Sequence, residues 1–112
     1  RGIMERGKLR VLCLHGFYNN AEFMRYQMAY YEQVFRDHVE FEFMNAPYEI
    51  QYLYDDFITQ KFQGPFYAWA EFDLDKKILI GCIESMNFVI DYINKHGPYD
   101  GIAGFSQGTL IC

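Results

Sequence analysis

The sequence predicts an α/β fold built on a parallel β-sheet, and two features of the chain carry that prediction. Leu9–Leu14 is a nearly continuous apolar run, which is typical of a strand buried on both of its faces. Predicted strands and helices then alternate along the chain, an order that favours parallel strands joined by right-handed crossovers. We therefore expect part of a three-layer α/β/α fold, with the Leu9–Leu14 strand at the centre of the sheet and helices on both faces.

The first half of the chain contains two predicted strands with a helix between them. Residues 15–19 form a loop after Leu9–Leu14, and Asn20 is placed to cap a helix over Ala21–Arg36. The apolar residues of this helix fall on one face: Met24, Met28, Tyr31 and Phe35. Val39–Met44 alternates apolar and polar residues, which predicts a half-buried strand nearer an edge of the sheet.

The second half begins with an aromatic segment, Asn45–Asp75, that has no clean period. A long segment of this kind is usually a binding loop or lid, and the alternative is that its aromatic side chains fill the core beneath a large loop. Apolar residues recur at helical spacing over Lys76–Lys95, and Gly97-Pro98 is a typical helix end. Tyr99–Phe105 predicts the third strand, and the residues after Ser106 open a third helix.

The composition narrows the classes of function and the cellular setting. The 112 residues suffice for at most one domain with a core, and 51% of them are apolar. A formal net charge of −5 gives no electrostatic attraction to nucleic acid, and no apolar run approaches the length of a membrane span. Cys13, Cys82 and Cys112 lack the paired spacing of a zinc site and are typical of small buried side chains in a reducing compartment. We therefore expect a protein of the cytoplasm or nucleus that holds no metal.

The most informative motif is Gly104-Phe105-Ser106-Gln107-Gly108, which follows the third predicted strand. A G-x-S-x-G sequence between a strand and a helix is typical of a nucleophile elbow, in which the serine hydroxyl is exposed above the sheet. Gly104 and Gly108 would be required because side chains there would clash where strand and helix pass closely. The alternatives are an ordinary serine in a glycine-rich turn or a phosphate-binding turn, although the latter lacks the Gly-Lys-Ser/Thr ending.

A second motif, His15-Gly16-Phe17, follows the first predicted strand. Because parallel strands end at the same edge of a sheet, we expect this loop to lie beside Ser106. Ser106 would act as the nucleophile on an acyl carbonyl, and the N–H groups of Phe17 and Gln107 would stabilise the resulting oxyanion. His15 and Gly16 would support this loop. Such chemistry needs no metal or organic cofactor.

The general base is harder to place. His15 is one candidate, but its position favours a role in holding the oxyanion loop, while His38 lies in a polar turn and His96 at a helix end. Where a G-x-S-x-G serine is the nucleophile, the Asp or Glu and then the His of the triad follow it along the chain. Both are therefore expected beyond Cys112. Because residue 1 is Arg and the last four residues form an uncapped apolar run, we expect the N-terminal part of a longer protein.

Aromatic residues near both motifs suggest how a substrate would be held. Tyr18, Trp69 and Phe105 are candidates for the walls of an acyl pocket beside Ser106, and an apolar wall would suit a fatty or aromatic acyl group. The alternative is that these rings are part of the hydrophobic core.

An ordered series of short motifs resembles one known family. The series is Leu12–Phe17 with Asn20, then Ala46-Pro47, Trp69, Glu84-Ser85 and finally Gly97–Gly108. It is similar to the FSH family of serine hydrolases, which are small single-domain α/β-hydrolases. Acyl-protein thioesterases and related carboxylesterases share the Gly-Phe-Ser-Gln-Gly elbow, but they fit the Gly-Pro-Tyr-Asp-Gly approach and the aromatic segment less well.

The resemblance implies an esterase or thioesterase that acts through Ser106 on a small-molecule or lipid-like acyl substrate. Residues 1–112 would form the N-terminal part of a single α/β-hydrolase domain, with residues 45–75 as a lid or pocket segment. The family's Asp and His have no matching positions in this chain, so the chain alone is expected to be inactive. A different hypothesis is a non-catalytic binding module that keeps the hydrolase pocket.

Overall fold

The structure is a computed structural model that describes residues 7–50 and 64–112. Seven strands lie in these residues: β1 (Leu9–Leu14), β2 (Val39–Met44), β3 (Tyr48–Ile50), β4 (Phe66–Ala68), β5 (Glu71–Asp73), β6 (Ile78–Ile80) and β7 (Gly101–Gly104). The described helices are α1 (Ala21–Gln27), α2 (Ala29–Val34), α3 (Cys82–His96) and a short 3-10 helix, Ser106–Leu110. None of these helices has the length and apolar character needed to cross a membrane.

The central sheet has three parallel strands in the order β2-β1-β7. The prediction of a parallel sheet with Leu9–Leu14 at its centre is therefore confirmed. Burial explains the arrangement, since the carboxyl half of β1 (Leu12, Cys13 and Leu14) is inaccessible to solvent. The described elements establish an α/β arrangement, and the complete three-layer fold with helices on both faces stays a prediction.

The predicted helix over Ala21–Arg36 is two helices, α1 and α2, that meet at Met28. Asn20 caps the first as predicted, because its side-chain Oδ1 accepts a hydrogen bond of 2.8 Å from the Phe23 N–H. Helix α1 buries Phe23 and Met24, whereas α2 buries none of its residues. Core packing therefore acts on the first helix alone and does not impose a common axis on the two.

The predicted helix over Lys76–Lys95 begins later, at Cys82, and ends at His96 before Gly97-Pro98. Ile78–Ile80 instead forms β6, which pairs antiparallel with β5. The β-branched isoleucines suit a strand, and Gly81, with φ of +98°, turns the chain from that strand into the helix.

Helix α3 also differs from the prediction in the face that it buries. Its buried residues are Ser85 and Val89. Ile83, Met86 and Ile90, which belong to the apolar stripe seen in the sequence, are exposed in this chain. Periodicity finds an apolar stripe but does not identify the neighbour that covers it.

Part of the aromatic segment is regular structure that the sequence did not predict. Strands β3 and β4 form an antiparallel pair, and Tyr67 also bridges to Asn19 after β1. The predicted lid over residues 45–75 falls partly on residues 51–63, which lie outside the described residues. The third strand is shorter than predicted, and the helix after Ser106 is a 3-10 helix.

The amino-terminal half of the sheet is held by a charged cluster, which we call the amino-edge cluster: Arg10, Glu42, Tyr99 and Asp100. The Arg10 guanidinium donates to Glu42 Oε2 from Nη2 at 2.7 Å and from Nε at 2.8 Å, and the Tyr99 hydroxyl donates to Glu42 Oε1 at 2.8 Å. Partial burial raises the pKa of Glu42, but these hydrogen bonds outweigh it and hold the pKa below its usual value. Asp100 joins the cluster through its carboxylate, which accepts a 2.8 Å hydrogen bond from the Arg10 N–H. The cluster thus ties the approach to β7 against β1 and β2.

The three cysteines are all free thiols, but they are not equally buried. Cys13 is buried as predicted, and burial raises the pKa of its thiol to about 12. Cys82 is half-buried and Cys112 is exposed, so the prediction of three buried side chains is wrong for these two.

Candidate active site

The two predicted motifs lie side by side at the carboxyl edge of the sheet. Leu14, the last residue of β1, pairs with Gly104, the last residue of β7, and the Phe105 N–H donates to Leu14 O at 3.1 Å. A side chain on Gly16 would place its Cβ 3.2 Å from the Phe105 ring and 3.5 Å from Ser106 Cβ. The loop after β1 and the serine after β7 are therefore in direct contact.

Ser106 has an unusual backbone conformation. It is exposed at the turn between β7 and the 3-10 helix, and its φ is +53°. Tyr18, in the loop after β1, also has a φ of +53°. Non-glycine residues rarely adopt positive φ, and such strain is concentrated at functional sites, where the surrounding structure holds it in place. Tyr18 and Ser106 both lie at this edge of the sheet, and a third non-glycine residue with positive φ, Lys77, lies in the turn between β5 and β6.

The two glycines of the pentapeptide are required by close packing. A Cβ on Gly104 would lie 2.8 Å from the carbonyl carbon and oxygen of Gly108. A Cβ on Gly108 would overlap Leu14 O and lie 2.7 Å from His15 O. Because these neighbours are main-chain atoms, no side-chain movement can relieve the clash, and the strand-to-helix turn can approach β1 only with glycine at these positions.

His15 is completely buried, and both nitrogens of its ring contact main-chain groups. The Ala46 N–H donates to Nε2 at 3.0 Å, so Nε2 is the acceptor and Nδ1 carries the proton that is donated to Gly16 O at 2.7 Å. Burial lowers the pKa of His15 to about 4, and the hydrogen bond to Gly16 opposes only part of that effect. A neutral ring with both nitrogens engaged favours the supporting role over that of general base.

The His15 ring also sets the direction of the Phe17 N–H. The carbonyl of Gly16 and the N–H of Phe17 belong to the same planar trans peptide, so they point in opposite directions. Because the ring Nδ1–H holds the carbonyl from one side, the Phe17 N–H is directed to the other. The loop thus presents a main-chain donor in a defined orientation.

The side chain of Gln107 binds the main chain of the segment after β4. Its Oε1 accepts hydrogen bonds from the N–H groups of Trp69 at 2.8 Å and Ala70 at 3.3 Å. Its Nε2 donates to Ala70 O at 2.8 Å. Both ends of the amide are therefore paired with the main chain of Trp69 and Ala70.

Trp69 is fully buried and contacts three separate parts of the chain. Its indole Nε1–H donates to His15 O at 2.7 Å, and its ring lies 5.3 Å from the His15 ring, centroid to centroid. Its carbonyl accepts a hydrogen bond from the Ser85 hydroxyl on α3. With the Gln107 contact, these bonds join the loop after β1, the serine turn and α3 at one residue.

The three candidates for an acyl pocket lie in different environments. Tyr18 is buried and packs on Phe66 with ring centroids 5.0 Å apart, and Trp69 is buried in the main core cluster. Phe105 is exposed next to Ser106, and so is Phe17 in the facing loop. Phe105 is thus the one candidate that is open to solvent, and the pocket role of all three stays a prediction.

Sequence reasoning assigned no contact to Ser85 or Ala46, although both hold the site residues. Ser85 precedes Val89 by one helical turn, and these are the buried residues of α3. A serine one helical turn from an apolar residue is a weak indication of burial, because an exposed serine can have the same spacing. The role of Ala46 is carried by its N–H, which every residue other than proline has.

Within residues 7–50 and 64–112, no group of three or more His, Cys, Asp or Glu side chains is arranged to hold a metal ion.

The chain is similar to proteins from several eukaryotes, including one named as an esterase and one named as a hydrolase. It is 31% identical over 127 residues to the Rhodanese-like domain-containing protein 6 of Arabidopsis thaliana, covering 95% of this chain and 22% of that protein. It is 29% identical over 108 residues to the esterase C25G4.2 of Caenorhabditis elegans, covering 93% of this chain and 48% of the esterase. It is 25% identical over 116 residues to the uncharacterized hydrolase C22A12.06c of Schizosaccharomyces pombe, covering 93% of this chain and 27% of that hydrolase.

The chain spans less than half the length of each of these relatives. A family model described as Serine hydrolase (FSH1) matches residues 4–112, which is nearly the whole chain. The resemblance seen in the short motifs is confirmed by this match. The chain belongs to the FSH1 family of serine hydrolases.

Proposed function

We propose that the protein containing this chain is a serine hydrolase that cleaves carboxylic esters or thioesters through an acyl-enzyme on Ser106. One observation carries the proposal. An exposed serine with strained backbone lies against a loop whose next N–H, that of Phe17, is held in a defined orientation. A nucleophile beside preset main-chain donors is the arrangement that acyl transfer requires.

In the proposed reaction, Ser106 Oγ attacks the carbonyl carbon of the substrate and its proton passes to a histidine base. That histidine and its acidic partner are expected after residue 112. The negative charge that develops on the carbonyl oxygen is stabilised by the N–H groups of Phe17 and Gln107. Collapse of this intermediate breaks the bond to the alcohol or thiol, which leaves with the proton. Water then hydrolyses the acyl-serine by the same steps.

The exposed aromatic rings near Ser106 suggest which class of substrate the site would accept. Phe17 and Phe105 flank the serine from the two facing loops, and both are exposed. Apolar rings at this position favour an apolar acyl group over a charged one. We propose a small-molecule or lipid-like acyl ester or thioester, and the cytoplasmic or nuclear setting stays a prediction.

The test uses a fluorophosphonate probe on the full-length protein, because an activated serine displaces fluoride from the probe and becomes phosphonylated. We expect the native protein to be labelled and Ser106→Ala to lose labelling completely, with an unchanged thermal melt. Peptide mapping should find the label on Ser106 and not on Ser85, the other serine of this chain. Labelling that survives Ser106→Ala, or a folded native protein that never labels, would contradict the proposal and favour a non-catalytic binding module.

A further inference from the structure

A series of hydrogen bonds, partly buried at Gln107 and buried at the Trp69 indole, connects the two loops that carry the proposed oxyanion donors. It begins at the Gln107 side chain, which binds the main chain of Trp69 and Ala70. It continues through the Trp69 indole, whose Nε1–H donates to His15 O at 2.7 Å. The series thus connects Gln107 with the carbonyl of His15, which belongs to the peptide that joins His15 to Gly16.

Each end of this series of hydrogen bonds lies close along the backbone to one of the two proposed donors. Gln107 bears one donor on its own main chain, while His15 O precedes the Gly16–Phe17 peptide that bears the other. The bond to His15 O holds the planar unit that joins His15 to Gly16. The next unit, which joins Gly16 to Phe17, is held by the bond from His15 Nδ1–H to Gly16 O at 2.7 Å. The bond from the Trp69 indole to His15 O is buried, so water does not compete for it, whereas the Gln107 bonds are partly buried.

We infer that the Gln107 side chain, acting through Trp69, is a positioning residue that sets the spacing between the N–H groups of Phe17 and Gln107. The inference rests on the proposed function, because it concerns the geometry of that oxyanion site. The side chain touches no reacting atom and acts only by holding the two loops in register.

The other contacts of Trp69 separate this role from general support of the fold. Ser85 holds the Trp69 carbonyl from α3, and the ring packs in the core cluster with Leu12, Leu14 and Val89. These contacts keep Trp69 in place when the Gln107 amide is altered. Loss of the amide should therefore loosen the spacing of the donors more than it weakens the fold.

The experiment measures ester hydrolysis by the full-length protein and by two variants. Gln107→Glu keeps the size of the side chain and the Gln107 N–H, but at neutral pH it places a carboxylate oxygen against Ala70 O. Trp69→Phe keeps an aromatic ring in the core but removes the donor to His15 O. Because loss of a whole oxyanion donor costs about 10²–10³-fold in kcat, we expect losses of roughly 10–100-fold, with KM within about 3-fold.

The pH profile supplies a readout that a purely structural defect would not produce. When the introduced carboxyl is protonated, it can donate to Ala70 O as the native amide does. Its partners are main-chain groups that do not titrate, and the adjacent His15 is neutral over this range because its pKa lies near 4. We expect the activity of Gln107→Glu, divided by native activity at each pH, to rise as the pH falls from 8 to 5.5.

Tyr99→Phe is the matched control, since it removes one partly buried hydrogen bond at the amino-edge cluster, far from the serine turn. It should lose a similar amount of stability and keep native kcat. The inference would be overturned if either folded test variant had native kcat, or if the activity ratio of Gln107→Glu did not change with pH. In that case, Ser106-dependent labelling would still support the proposed function. A native protein without Ser106-dependent labelling would overturn both.

Discussion

The two ends of the central strand β1 are held in chemically different ways. At the amino-edge cluster, Arg10 and Glu42 form a salt bridge whose side chains remain about a quarter exposed. At the carboxyl edge, His15, Trp69 and Gln107 are uncharged, and their side chains bind main-chain groups. Arg10 also donates to two main-chain oxygens, those of Pro98 and His96, each at 3.0 Å, so the two ends differ in charge and in burial. The buried, neutral contacts at the carboxyl edge hold peptide units in fixed directions, which is what the proposed oxyanion site needs.

Backbone strain follows the same division. Of the three non-glycine residues with positive φ in the described part of the chain, Tyr18 and Ser106 lie at the carboxyl edge, and Lys77 lies in the β5–β6 turn, away from both edges. The residues of the amino-edge cluster have ordinary backbone conformations. Strain persists only where many contacts oppose its relaxation, and the glycine approach and the Trp69 contacts supply them here. We therefore expect the free energy of unfolding to respond to side-chain size and pH at the carboxyl edge, and to salt concentration at the amino-edge cluster.

The largest effect is expected from Gly108→Ala. Its new Cβ would overlap Leu14 O and lie 2.7 Å from His15 O, so β7 and the loop after β1 would be forced apart. We expect the free energy of unfolding to fall by about 4 kcal/mol, measured by thermal or urea denaturation.

Gly101→Ala is the matched control at the other end of the same strand. Its Cβ would lie 3.9 Å from Val11 Cγ2, an ordinary contact, so we expect a change within about 0.5 kcal/mol. Equal losses for the two substitutions would contradict the difference between the two edges.

The next effect is a pH dependence that arises from His15. Burial lowers its pKa from 6.5 to about 4, so the unfolded chain takes up a proton before the folded chain does as the pH falls. The contribution of His15 to the free energy of unfolding has its full value above pH 6.5. It falls by about 3 kcal/mol as the pH drops to 4, because each unit of pKa difference corresponds to about 1.4 kcal/mol. The measurement is the free energy of unfolding against pH.

The control for this slope is His15→Gln, which has no titrating ring. The variant should be less stable at neutral pH, and the difference from the native protein should shrink as the pH falls from 6.5 to 4. A difference that stays constant over this range would show that His15 is not held neutral in the fold.

The smallest effect is expected at the amino-edge cluster, from Glu42→Gln. The substitution weakens charge-assisted bonds from Arg10 and Tyr99, and because the group is partly exposed we expect a loss of about 1–2 kcal/mol. Since salt screens such pairs, the loss should shrink between 0.05 M and 1 M NaCl.

Asp91→Asn, which alters an exposed carboxylate on α3, is the control and should change stability by less than about 0.5 kcal/mol at either salt concentration. A salt-independent loss at Glu42 would indicate that the cluster acts through packing and not through charge.

Several parts of the fold and of the site could be predicted from the sequence because they depend on residues that are close together in the chain. The positions of β1 and β2, the Asn20 cap and the need for glycine at Gly104 and Gly108 all follow from patterns within a few residues. The break at Met28 and the late start of α3 were missed. At both places the apolar pattern continues through the change, while the backbone is decided by which neighbours it packs against.

The sequence by itself determined that a serine and a His-Gly loop would meet at one edge of a parallel sheet. Strand type, order along the chain and turn chemistry are enough to require that meeting. The tertiary structure alone decided which tautomer His15 adopts, that Trp69 joins the two loops and that the Gln107 side chain binds the main chain of Trp69. These contacts join residues 31 to 54 positions apart, and hydrogen bonds of that separation depend on the final packing of the elements, which no local pattern encodes.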